Sequence, residues 1–183
     1  MLTVDMTSSL SLSLSLNSLL CMFQGLYVDS RCDIVFHGSE IPEWFRHQNV
    51  GAEVIMKFPF HLCNKVIGIA VCSAFYSLPH HQIYDKCPLN CRLIVNGKEV
   101  SLAPGIETIV GSSNQIWVLY LAFKFYQEGD LISLWECDEN GLSQIGIRIE
   151  TASGLKVKKC GLHVVFKKDT EDWKESSKSD LGG

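Results

Sequence analysis

The chain has 183 residues, of which 46% are hydrophobic and 20% are charged. That length suits one domain with enough apolar material for a self-supporting core. A net charge of -4 supplies no positive field, which argues against nucleic acid or an anionic membrane surface as partner.

Residues 1–30 contain no Lys or Arg, and Asp5 stands where a secretory signal would carry positive charge. Leu10, Leu12, Leu14 and Leu16 alternate with Ser instead of forming a continuous apolar run. Neither a signal peptide nor an Arg-rich transit peptide is expected. Leu12-x-Leu14-x-x-Asn17-x-Leu19 matches part of a leucine-rich repeat, but one repeat cannot bury its own face. Residues 1–18 therefore read as a low-complexity Leu/Ser leader or a repeat remnant. Leu19 to Tyr27 is predicted to form a short N-terminal helix leading into the folded part.

From Asp33 onward the pattern is strand after strand. Asp33 to Phe36 is the first, with Gly38 allowing a tight exit. Pro42 suits the first position of a short helical turn, with Glu43 near its positive end. Trp44 and Phe45 are then expected to plug the edge of the fold rather than to bind from an exposed position. Val54, Met56 and Phe58 alternate with Glu53, Ile55 and Lys57, giving one apolar face. Val66 to Tyr76, the longest apolar run, is too short to span a bilayer. Within it Ile67, Ile69, Val71 and Phe75 are large, whereas Gly68, Ala70, Cys72 and Ala74 are small. Such a strand is buried on both faces, its small side covered closely by a neighbour.

Cys91, Leu93 and Val95 alternate with Arg92 and Ile94, and Asn96-Gly97 then gives the strongest hairpin signal in the chain. Val100 and Leu102 fall on the return strand. Ile116 to Phe125 is aromatic and β-branched, and Glu128-Gly129-Asp130 turns it into Leu131 to Glu136. Asp138-Glu139-Asn140-Gly141 makes another turn. Ile145, Ile147 and Ile149 follow with one wet face, and Leu162, Val164 and Phe166 close the series. Eight or so short strands with turns between them predict an all-β, two-sheet antiparallel sandwich. Its core is expected to include Val54, Met56, Ile69, Val71, Leu93, Leu119, Leu121, Ile147, Val164 and Phe166. Residues 170–183 are polar and read as a disordered tail.

The eight cysteines show no Cys-x-x-Cys pair, and no Asn-x-Ser/Thr acceptor occurs. Cys72, Cys91 and Cys160 lie in apolar strands, where free Cys acts as a small hydrophobe. Reduced thiols are expected, and a fold that needs neither metal nor disulfide. His80-His81 with Asp85, Cys87 and Cys91 is the best metal candidate, since Cys87-x-x-x-Cys91 has zinc-like spacing. Adjacent His side chains diverge in an extended loop and Cys91 points inward, so no metal is assigned. A Cys nucleophile could be imagined with His37, His47 or His163 as base, but nothing fixes a pair. Phosphate-loop and Gly-x-Ser-x-Gly motifs are absent. No catalytic residue and no cofactor are predicted.

Ser77 to Asn90 is the longest predicted irregular segment of the sandwich, stiffened by Pro79 and Pro88. His80, His81, Gln82, Tyr84 and Lys86 offer donors, acceptors and an aromatic anchor. Together with Ser112 and Asn114 in the segment Gly111 to Gln115, they are the expected protein-contact residues. A long connection without a binding role is the alternative.

Gly38-Ser39-Glu40-Ile41-Pro42-Glu43-Trp44-Phe45, followed by His47-Gln48 and Gly51, resembles the opening signature of a known plant domain. That domain follows the leucine-rich repeats of TIR-type nucleotide-binding immune receptors and is called C-JID, the C-terminal jelly-roll/Ig-like domain. Gly68-Ile69-Ala70-Val71-Cys72 is similar to a later motif of the family. So are Cys91-Arg92 with Asn96-Gly97-Lys98-Glu99, and Val157 to Val165, all in the same order. The resemblance covers about residues 19–169. His37 departs from it, because the family usually has Pro there, and one turn is expected to loosen.

The resemblance implies a jelly-roll/Ig-like sandwich without enzyme activity, helping leucine-rich repeats to recognise a pathogen effector or host protein. It implies a cytoplasmic or nuclear setting. The family's TIR and NB-ARC chemistry lies in domains that this sequence does not contain. A receptor fragment, a truncated product and a stand-alone paralogue all remain open. Two other classes are a carbohydrate-binding sandwich, with Trp117 or Trp135 stacking on sugar, and a scaffold or decoy for host proteins.

Overall fold

A computed structural model describes residues 31–79, 86–100, 106–109, 114–123, 136–151 and 154–169. The leader, the helix expected over Leu19 to Tyr27, the turn at Glu128-Gly129-Asp130 and the polar tail lie outside the described residues.

Ten strands are described: β1 (Arg31–His37), β2 (His47–Val50), β3 (Glu53–Pro59), β4 (Val66–Ser77), β5 (Lys86–Val95), β6 (Lys98–Val100), β7 (Ile106–Ile109), β8 (Gln115–Ala122), β9 (Leu142–Thr151) and β10 (Leu155–Phe166). One sheet runs in the order β1-β8-β4-β10-β2. The other runs β3-β9-β5-β6, with β7 also paired to β5. Every described pair is antiparallel. The fold is an all-β two-sheet sandwich, as the alternation predicts.

The alternation also places the core. Val54, Phe58, Ile69, Val71, Leu93, Leu119, Leu121, Ile147 and Val164 are buried together between the sheets. Met56 and Phe166, expected to be equally buried, are only partly covered and pack at the margin. Ile94, which alternates with the core-facing residues of its strand, is also buried, at 6% exposed.

The two-faced reading of Val66 to Tyr76 holds from Ile69 onward, but Ile67, grouped by sequence with the large face, packs against the opposite cluster because the pairing with β10 shifts register there. Ile69, Val71 and Phe75 face the core between the sheets. Ala70, Cys72 and Ala74 face a second cluster with Ile41, Phe45, Ile116 and Val118. The neighbour that covers the small side is the segment 38–46. It crosses the outer face of the first sheet, so Trp44 and Phe45 pack on a sheet face, whereas the sequence predicts that they plug an edge. Small floor residues let this strap lie close. A Cβ at Gly161, which pairs with Cys72, would sit 3.1 Å from Phe45 Cβ and 3.2 Å from Ile41 Cγ2.

The short helical turn at Pro42 is a single hydrogen-bonded turn, in which the Phe45 N–H donates to the Pro42 carbonyl at 3.0 Å. Asn96 (φ 48°) and Gly97 (φ 78°) both take positive φ, the geometry of the predicted type I′ hairpin. Asp138 organises the next turn: its Oδ1 accepts from the Asn140 N–H at 2.9 Å and the Leu142 N–H at 3.0 Å. A 3-10 helix over Phe60–Lys65 carries no sequence signal noted above.

Candidate functional site

Antiparallel register fixes what lies at each end of the sandwich. In the first sheet, Phe75 near the end of β4 pairs with Gln115 at the start of β8, and Gln115 pairs with His37 at the end of β1. Ser77 pairs with Leu155, the first residue of β10. In the second sheet, Leu89 of β5 pairs with Thr151, the last residue of β9, and Lys86 pairs with Ile109. Because residues 152–154 join β9 to β10, these ends share one pole. Hydrogen bonds close it. The Gly38 N–H donates to the Asn114 carbonyl at 3.1 Å, and the Leu78 N–H donates to the Gly154 carbonyl at 2.8 Å.

This register sets the described feet of the two predicted contact segments side by side. The connection after Ser77 crosses from β4 to β5, and the connection after Ile109 crosses from β7 to β8. Their feet are neighbours in both sheets, at Phe75 with Gln115 and at Lys86 with Ile109. The first connection is shorter than expected, because Lys86 to Asn90 already belongs to β5. Pro88 is likewise a strand residue, opposite Glu107. Asn114 is exposed at the foot of the second connection. His80, His81, Gln82, Tyr84 and Ser112 lie outside the described residues. The contribution of Gly154 and Leu78 carried no sequence signal, since it depends on a bond between distant turns.

The chain enters and leaves at the opposite pole. Arg31 pairs with Leu121, and Phe166 pairs with Val66. Anything joined to the sandwich through its first or last described strand attaches at the far end from the two connections.

The other sequence candidates separate. Cys160 faces the core between the sheets, and burial pushes its thiol up to about 12. His163 lies on the opposite face of β10, edge-on to Trp44 with ring centroids 5.6 Å apart. They cannot act as a thiolate–imidazole pair. Burial lowers the His163 pKa, opposed by Asp169 and aided by Arg46 and His47. Trp44 stacks on Phe45, with centroids 3.8 Å apart. This supports the anchoring reading of that aromatic pair. Cys91 is buried, while His80, His81 and Asp85 are outside the described residues. No group of metal-ligating side chains occurs among the described residues. Trp117 is 1% exposed, so it offers no stacking platform for sugar. Trp135 lies outside the described residues. No described helix is long and apolar enough to cross a membrane.

On the outer face of the second sheet, charges satisfy one another. Arg148 Nε donates to Glu53 Oε2 at 2.8 Å, and its Nη1 donates to Glu99. Arg92 Nε donates to Glu150 Oε1 at 2.7 Å. Such a self-paired ladder presents little net field to a charged partner.

The sequence pattern of the C-JID domain matches residues 36–171. The disease resistance protein RPS4 of Arabidopsis thaliana is 26% identical over 169 residues, covering 80% of this chain and 13% of that protein. An inactive disease resistance protein RPS4 of the same plant matches equally. The chain thus spans about an eighth of the length of these curated relatives. Among solved structures, a carbohydrate-binding module, CBM35 from Paenibacillus barcinonensis, is 10% identical, with a TM-score of 0.30 over 75% of this chain and 94% of that one. TmCBM61 in complex with a galactotriose is 11% identical, with a TM-score of 0.29 over 62% of each chain. Scores so low carry no argument about ligand. The match over residues 36–171 exceeds half of the chain: the chain belongs to the C-JID domain family.

Proposed function

We propose that this chain is the protein-recognition module of a plant intracellular immune receptor. It binds a pathogen effector or a host protein together with the leucine-rich-repeat surface of a longer chain. The observation that carries this reading is family membership together with disease resistance relatives that match along 80% of the chain. Recognition is favoured over catalysis because Cys160 and His163 occupy opposite faces of one strand. The contact residues proposed are His80, His81, Gln82, Tyr84 and Lys86, with Ser112 and Asn114. Support comes from the shared feet of the two connections that carry or directly adjoin these residues. Loops on a rigid sheet scaffold are the usual carriers of recognition.

Capture from infected and uninfected plant tissue tests the reading. The chain with an adjoining repeat region is compared with the same protein carrying His80→Ala, His81→Ala and Tyr84→Ala. A partner enriched by the native sequence and lost from the variant is expected. Its origin tells whether the target is foreign or host. An identical captured set for both proteins contradicts the assignment.

A further inference from the structure

Among the described residues, three buried side-chain polar atoms have no hydrogen-bond partner: Ser73 Oγ, Gln115 Oε1 and Trp117 Nε1. They form one group. Ser73 and Trp117 are directly opposite in the β4–β8 ladder, and Gln115 lies two residues before Trp117, opposite Phe75. Phe75 and Trp117 both belong to the core between the sheets. Residues two apart on a strand share a face. All three side chains therefore project from adjacent rows into the space between the sheets. Gln115 occupies the outer row, next to Asn114 and the pole that carries the two connections. Ser73 is 0% exposed, Trp117 1% and Gln115 8%.

Burying such groups without partners is costly, and native proteins satisfy them with other groups or with ordered water. The three atoms are complementary in kind. An indole N–H only donates, an amide oxygen accepts, and a hydroxyl does both. One water molecule could accept from Trp117, donate to Gln115 and share a third bond with Ser73. Three partners is the usual number for a buried water. A charged ligand suits the site poorly. Ser73 is flanked on its other side by Cys160, and Trp117 by Val35. Neither neighbour offers a charge to pair, because the buried Cys160 thiol stays protonated near neutral pH.

The geometry points to a buried hydration site formed by Ser73, Gln115 and Trp117, holding one long-lived water molecule just inside the pole that carries the two connections. This water ties the start of β8 to the end of β4 beyond their backbone ladder. The inference stands on the three side chains and does not depend on what the pole binds.

Proton NMR on the full chain, with the Trp117 indole assigned through its backbone, gives the test. The Trp117 Hε1 proton should show a direct NOE to water, with the sign of a residence longer than about a nanosecond. In Ser73→Ala the cross peak should persist, which separates a bound water from exchange through the Ser73 hydroxyl. In the Ser73→Ala/Gln115→Leu double variant it should disappear while the remaining spectrum stays dispersed. A folded native chain with no such cross peak overturns the proposal. So does a cross peak lost in Ser73→Ala alone, or one that survives unchanged in the double variant.

Discussion

Gly161 and Phe45 are in contact where any other residue would place its side chain: a Cβ on Gly161 would lie 3.1 Å from Phe45 Cβ. The glycine in β10 and the aromatic residue of the strap thus form one packing unit, which seals the small-residue face of the first sheet.

Substitution on either side should therefore unfold the same region. Phe45 is 0% exposed, and Phe45→Ala should cost about 3–5 kcal/mol. Gly161→Val should cost about 1–3 kcal/mol by overpacking. Because the sites touch, the double variant should cost less than the sum of the two. Denaturant unfolding of the four proteins checks this, and strict additivity would show that the strap does not rest on Gly161.

The strap also gives the domain a pH dependence through His163. Burial holds its folded pKa below the ordinary value, so the unfolded chain takes up the proton first as pH falls. Its contribution is complete above the unfolded value, near pH 6.5. It declines as pH drops from there towards the folded pKa, below which the loss is complete. Denaturation midpoints from pH 8 to 5 should fall for the native chain and fall less for His163→Gln. Parallel curves would remove His163 from the account.

Thiol chemistry should follow burial. Cys137 is exposed, whereas Cys72, Cys91 and Cys160 are buried. Burial pushes the Cys72 and Cys160 thiols up. Alkylation of the native chain should modify Cys137 before Cys72 and Cys160, which should stay untouched until denaturant is added. Thermal melts with reductant or chelator should overlay those without. A large drop in either would show that a disulfide or metal supports the fold.

The strands that could be read from sequence are those whose neighbours impose alternation. Val54-Met56-Phe58 and Ile145-Ile147-Ile149 each face one core, and period two follows directly. The large and small faces of Val66 to Tyr76 announced two different coverings. Lys86 to Asn90 read as loop because Pro88 and polar residues dominate it, yet pairing with β7 and β9 makes it strand. β2 is short and mostly exposed, so no alternation marked it. The shared pole depends on register between residues far apart in sequence. Neither the pairing of the feet of the two connections nor the Leu78–Gly154 bond could be read beforehand.

Recognition through the paired connections is the central claim, and one measurement addresses it most directly. The domain is grafted into a full receptor, with His80, His81 and Tyr84 either native or replaced by Ala, and effector-triggered cell death is scored at equal protein accumulation. The account predicts loss of the response in the Ala variant. Cell death at the native level with undiminished expression would contradict it.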